Sequence, residues 1–320
     1  MNDGSGEVVL GVDPRAQSVP ALLWAADEAL RRGRRLRLVV AVPAAHDPLG
    51  YPEAAHRNAL RTRAEMALAN AEDVVHALHR APRHTPHRTP DHGGPPTTTE
   101  LAEGTPAAVL LSRAARTDLL VVGSRAFGRP AEMFGESSVA VPAGARADCP
   151  VVVVRAPERT TGPPPCVVVG VDGSEAGRAA VGFAFAQAAL RGARLRALWV
   201  WPRSGLVHEN VAHALAARED LLADSVAEWA GFHPDVDVVE EVARGHPVEE
   251  LTLASRDALA VVVGRRGRGG YDGMRLGSTA HGLLRRADSP VIVVPAGISP
   301  DLSDLPAAVG HRTRPLARSA

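Results

Sequence analysis

The chain has 320 residues, room for about two domains at roughly 100–200 residues each, and its 45% apolar share lets each bury a core. Its 36 Lys plus Arg balance its 36 Asp plus Glu, so the formal net charge is zero, which excludes the broad basic surface of a nucleic-acid binder. Every one of those bases is arginine, which excludes mechanisms that need a lysine, among them a P-loop, a Schiff base and a Ser–Lys pair.

The first residues, Met1 to Glu7, are polar and carry no apolar leader, and no apolar run reaches the roughly 18–20 residues that span a bilayer. The sequence therefore predicts a cytoplasmic protein that does not cross a membrane. Val8 to Asp13 (VVLGVD) reads as a short buried strand, followed by a helical stretch that ends in the phrase Ala29 to Arg37 (ALRRGRRLR). A long helix is predicted near 53–80. Ala81 to Thr99, rich in Pro, His, Thr and Gly, reads as a mobile insertion of the first half. His76, His79, His84, His87 and His92 cluster loosely there, with no Cys and few carboxylates beside them. That composition predicts a solvated loop rather than a metal site. Gly104-Thr105-Pro106 is a turn, Leu119 to Gly123 a strand, and Cys149-Pro150 introduces the all-valine run Val151 to Val154. Residues 156–165, with four prolines, predict a stiff extended linker.

After that linker the chain begins again. Val167 to Asp172 (VVVGVD) repeats the opening strand, and Ala189 to Arg196 (ALRGARLR) repeats the helix end. Gly245-His246-Pro247 answers the earlier turn, Ala260 to Gly264 the strand Leu119 to Gly123 after it, and Ser289-Pro290 with Val291 to Val294 the closing run. The predicted division is 1–155 for a first domain, 156–165 for the linker, 166–295 for a second domain and 296–320 for a disordered tail. In the second half strands are predicted near 166–171, 194–201, 235–243, 258–263 and 290–295, and helices near 175–191, 208–230, 247–256 and 278–287. The strands are continuous apolar runs rather than alternating ones, as in a parallel sheet buried on both faces. The fold class is α/β: two tandem doubly wound, Rossmann-like parallel-sheet domains. Ligands in such sheets sit at the carboxyl ends of the strands, where Asp172, Val200 and Gly264 fall. Cys149 and Cys166 each flank a strand and make no disulfide framework, as expected in a reducing compartment.

The stretch from Gly264 to Thr279 carries the chemistry. Its pattern is G-x2-G-x9-G-S, set between the strand ending at Val263 and a helix. Glycines there permit positive φ and close approach of backbone to a ligand. Gly277-Ser278-Thr279 opens a helix whose free N–H groups hold anions, with two hydroxyls to cap them or to bond a phosphate oxygen. Arg265, Arg266 or Arg268 can screen phosphate charge. The turn after the first strand of this half, Asp172 to Gly177, does not match a dinucleotide fingerprint. Asp-Gly-Ser is also an ordinary helix-capping turn, so Asp172 has both a capping and a ligand reading.

Across both repeats the chain resembles the universal stress protein family, through the strands ending at Asp13 and Asp172, the Gly-x-Pro turns, the Gly264 loop and the closing Ser289-Pro290 strand. The resemblance implies an ATP-binding member, with Mg2+ accompanying the nucleotide. It implies that Asp172 meets the adenine–ribose end, that Val200 faces the adenine, that Val263, Gly264 and Gly267 run along the ribose and first phosphates, and that Gly277, Ser278 and Thr279 hold the outer phosphates. It also implies that the closing strands pair between domains, with further homodimerisation. The first half departs from the pattern. Gly123 is kept, but Ala126 replaces the second glycine, Ser137-Ser138 replace Gly277-Ser278, and Pro14 follows Asp13. Asp13, Val42, Gly123, Ser137 and Ser138 therefore make at most a weak site. The predicted function is a nucleotide-dependent stress-response module acting on an unknown protein partner, with no nucleic acid. The alternatives are a slow ATPase and a nucleotide-free scaffold. No general base is evident, and no catalytic residue is assigned.

Overall fold

The computed structural model describes residues 6–43, 54–80, 94–124, 139–155, 158, 164–201, 211–269 and 275–298. The first half runs β1 (Glu7–Gly11), α1 (Val19–Arg31), β2 (Arg35–Val42), α2 (Ala54–Arg80), β3 (Thr97–Glu103), α3 (Pro106–Ala114), β4 (Leu119–Gly123), α4 (Ala140–Arg146) and β5 (Val151–Val154). The second repeats the order with β6 (Cys166–Val171), α5 (Glu175–Arg191), β7 (Arg194–Trp201), α6 (Val211–Ala230), β8 (Val238–Arg244), α7 (Pro247–Ala254), β9 (Ala260–Gly264), α8 (Ser278–Arg286) and β10 (Val291–Val294).

All ten strands join one sheet in the order β3-β2-β1-β4-β5-β10-β9-β6-β7-β8. Within each half every pairing is parallel. The central strands are buried on both faces, which is why their sequences are unbroken valine and leucine. Within the sheet the halves join by an antiparallel pairing, β5 with β10, in the register Val291↔Val153, Ile292↔Val152 and Val293↔Val151. The two closing strands thus cover one another's edges within one chain, and a pseudo-two-fold axis passes through the pair Val152 and Ile292. Helices α1, α2, α5 and α6 pack on one face, with α3, α4, α7 and α8 on the other.

Local chemistry sets the helix ends. Ser18, Thr105 and Ser174 hydroxyls accept a first-turn N–H and start α1, α3 and α5. The residues following α1 and α5 end in Gly33 (φ 63°) and Gly192 (φ 57°), where the left-handed turn favours glycine.

Two boundaries differ from the sequence expectation. The insertion was expected to run to Thr99, but Thr97 to Thr99 already belong to β3, which pairs with β2 from Leu36↔Thr97 onward. Strand β8 starts at Val238 rather than near 235, because a turn in which Val236 N–H donates to the His233 carbonyl (3.1 Å) occupies the preceding residues. Both cysteines are free. Residues 81–93, most of 156–163, and 299–320 lie outside the described residues, and with them most of the insertion, the linker and the expected disordered tail.

Candidate functional site

The carboxyl ends of β6 and β9 bring the two halves of the motif together. Asp172 stands just past β6. Its Oδ1 accepts from the Ser174 backbone N–H (3.0 Å) and the Ser174 hydroxyl (2.7 Å), and its Oδ2 accepts from the Arg268 backbone N–H (3.2 Å). Ser174 Oγ in turn accepts from Gly177 N–H (3.0 Å), capping α5. One carboxylate therefore ties the β6–α5 turn to the loop after β9. The capping reading of this turn is realised, and Ser174, which the motif alone did not single out, is its centre.

The glycines of the loop are needed for reasons other than positive φ, which neither Gly264, Gly267 nor Gly277 adopts. A Cβ on Gly264 would lie 2.7 Å from the carbonyl carbon of Ala176, because the first turn of α5 crosses directly over the end of β9. A Cβ on Gly267 would lie 2.3 Å from Asp172 Oδ2. One on Gly277 would lie 3.3 Å from the Arg265 carbonyl oxygen. Gly277 N–H donates to that same oxygen at 2.8 Å, which closes the start of α8 against the loop. Gly277 is the cap of α8 and has no side chain to offer, so Ser278 and Thr279 are the first helical residues and their hydroxyls do not cap. The first-turn N–H groups of α8 have no intrahelical acceptor, and the helix starts against this loop through the Gly277–Arg265 hydrogen bond.

Arg265 was expected only as a phosphate-screening charge. Its backbone N–H donates to the Val294 carbonyl of β10 (2.7 Å), and its guanidinium Nη1 donates to the Ala147 carbonyl at the end of α4 (2.9 Å). Burial, followed by the neighbouring Arg266 charge, lowers its pKa from the ordinary arginine value. The loop of the second half is thereby anchored to the first half. Val263 is buried and Val200 half-buried, each next to last in its strand. Trp199 also stands at this end. A Cβ on Gly173 (φ 71°) would meet its ring at 3.3 Å. His281, one turn into α8, donates its N–H to the Gly277 carbonyl (2.9 Å).

In the first half Asp13 Oδ1 accepts from the Arg15 N–H (2.9 Å), Val42 ends β2 and Gly123 ends β4. Ser137, Ser138 and Ala126 lie outside the described residues. Beside Asp13 a groove of about 570 Å³ opens toward α2, lined among others by Arg15, Gln17, Arg63 and Asn70. Among the described residues no three His, Cys, Asp or Glu side chains gather as metal ligands, and no helix is long and apolar enough to cross a membrane.

Two repeats of a 3-2-1-4-5 parallel sheet define a tandem, doubly wound α/β architecture. The model of the universal stress protein family matches residues 5–155 and again 166–295, and the chain belongs to that family. A universal stress protein of Mycobacterium tuberculosis is 32% identical over 297 residues, covering 89% of this chain and 95% of its own. One of Mycolicibacterium smegmatis is 31% identical over 295 residues, with coverage of 90% and 96%. Among solved structures, a universal stress protein of Archaeoglobus fulgidus superposes with a TM-score of 0.66 at 17% identity, covering 91% of this chain and 97% of that one, a likeness of fold.

Proposed function

We propose that the second half binds ATP as a regulatory ligand, with Mg2+ entering as the counter-ion of the triphosphate. The observation that carries this reading is the enclosure between the β9 loop and α8. Gly277 N–H closes onto the Arg265 carbonyl there, a Cβ on Gly277 would press on that oxygen and one on Gly267 on Asp172, and Gly277 brings no side chain to cap α8. A polyanion is what such a set of N–H donors suits. Gly277, Ser278 and Thr279 hold the outer phosphates. Val263, Gly264 and Gly267 follow the ribose and first phosphates, and Val200 flanks the adenine. Asp172 reaches the ribose with oxygen lone pairs not used by Ser174 and Arg268.

The chain offers no assigned general base at this enclosure, so the nucleotide acts by being bound, and turnover is slow. The module works in the cytoplasm, associates further as a homodimer and acts through a protein partner. Acid extraction and chromatography of the purified protein tests the ligand: ATP recovered near one equivalent supports the reading. Protein that carries none, and melts identically with and without added Mg-ATP, favours a scaffold without nucleotide. Brisk phosphate release abolished by one side-chain substitution favours an enzyme.

A further inference from the structure

Away from the strand ends, α1 and α5 lie side by side across the pseudo-two-fold axis and bury a charged cluster. Glu28 and Gln187 are both 0% exposed and occupy equivalent places in the two repeats, 159 residues apart. They touch each other: Gln187 Nε2 donates to Glu28 Oε1 at 2.6 Å. Arg32 and Arg191, equivalent in the same register, flank them. Arg32 Nε donates to Glu28 Oε1 (2.6 Å), and Arg191 Nη1 donates to Gln187 Oε1 (2.6 Å) and pairs with Glu28 Oε2 at 2.8 Å. The frame around them is two-fold symmetric: Arg32 stacks over Phe183 at 5.3 Å and Arg191 over Trp24 at 5.2 Å. Glu158, less buried, adds a contact to Arg191 at 3.2 Å.

The symmetric frame holds an asymmetric centre. One position is an acid and the other an amide, and the amide both donates to the carboxylate and accepts from an arginine, which neither a carboxylate nor a guanidinium does alone. We infer that the Glu28–Gln187 contact is a matching device that accepts one acid facing one amide, and so directs the first half to pair with the second half of the chain rather than with a copy of itself. A first half meeting its own copy would press carboxylate on carboxylate, each tied only to its own Arg32 and with no amide donor between them. A second half meeting its own copy would bury two guanidiniums without the carboxylate they share here. The partner this surface fits is therefore the opposite half.

Substitutions in the full chain recreate each like-with-like contact. Glu28→Gln sets amide against amide, and Gln187→Glu sets acid against acid. Each lowers the melting temperature by roughly 5–15 °C, the range expected for breaking a buried charged contact. The double variant Glu28→Gln/Gln187→Glu restores one acid facing one amide, and recovers more than half of the larger single loss. The inference is overturned if either single variant melts with the parent chain, or if the double variant recovers less than half. A single variant too unstable to fold leaves the comparison intact, because the exchanged pair is then judged by whether it folds.

Discussion

Gly264 and Gly267 look interchangeable in the motif and are separated by what surrounds them. A methyl on Gly264 meets helix backbone at Ala176, which cannot yield, so Gly264→Ala costs about 1–3 kcal/mol of stability in a denaturant titration. A methyl on Gly267 meets only the Asp172 carboxylate, a side chain that can rotate away. Gly267→Ala therefore costs less stability than Gly264→Ala, since it disturbs only the Asp172 hydrogen bonds, and it weakens ATP binding. The reverse pattern would show that the two glycines have exchanged roles. The cysteines offer a separate check. Burial pushes the Cys149 thiol up to about 12, so in native protein at pH 8 it stays unmodified by a thiol reagent and reacts only on unfolding. That these glycines matter was legible from their spacing between a strand and Gly-Ser. Why they matter was not, because close approach of α5 to β9 is a fact of packing, and the torsion argument suggested by residue type does not apply.

At the scale of elements, the buried strands were legible as unbroken apolar runs. The edge strands β3 and β8 were read with displaced starts: the threonines that open β3 resemble loop, whereas β8 was begun early, across the turn that joins Val236 to His233. Thr97 to Glu103 (TTTELAE) is half solvent-facing, held to β2 by the Arg37–Glu100 pair at 3.2 Å, and β8 is held likewise by Arg196–Glu241 at 2.7 Å. Of the two readings of the Ser278 and Thr279 hydroxyls, capping α8 or bonding a phosphate oxygen, the first is removed, because Gly277 is the cap. Gly277→Val would drive side-chain bulk into the Arg265 carbonyl and open the enclosure, abolishing ATP binding measured by equilibrium dialysis. Arg265 spans both halves, so Arg265→Ala removes its hydrogen bond to Ala147. It should cost about 1–2 kcal/mol of stability, and weaken ATP binding less than Asp172→Ala does.

For the whole molecule, duplication was legible residue by residue, and with it the doubly wound fold; the pairing of the closing strands was implied by the family resemblance. The cluster between α1 and α5 was not legible, since an acid in a helix reads as a solvated position until its neighbour is known. Its electrostatics set an acid limit. Burial alone would raise the Glu28 pKa, but the Arg191 and Arg32 charges and the Gln187 hydrogen bond carry it from 4.5 to about 2. A lowered carboxylate pKa stabilises the fold fully above the unfolded value, and that contribution fades as pH falls through the folded one. Between pH 4.5 and about 2 the chain should lose on the order of 3 kcal/mol from this group. Melting temperatures across that window measure it, and Glu28→Gln should flatten the slope.

The central claim is one nucleotide site, in the second half. Calorimetric titration of nucleotide-free protein with Mg-ATP tests it most directly, run on the parent chain, Asp172→Ala and Asp13→Ala. The account predicts one tight ATP per chain. Asp172→Ala weakens it by about 1.5–3 kcal/mol, the worth of a hydrogen bond to a charged group, and Asp13→Ala leaves it unchanged. Two equivalent sites per chain, or loss of binding from Asp13→Ala alone, would contradict it.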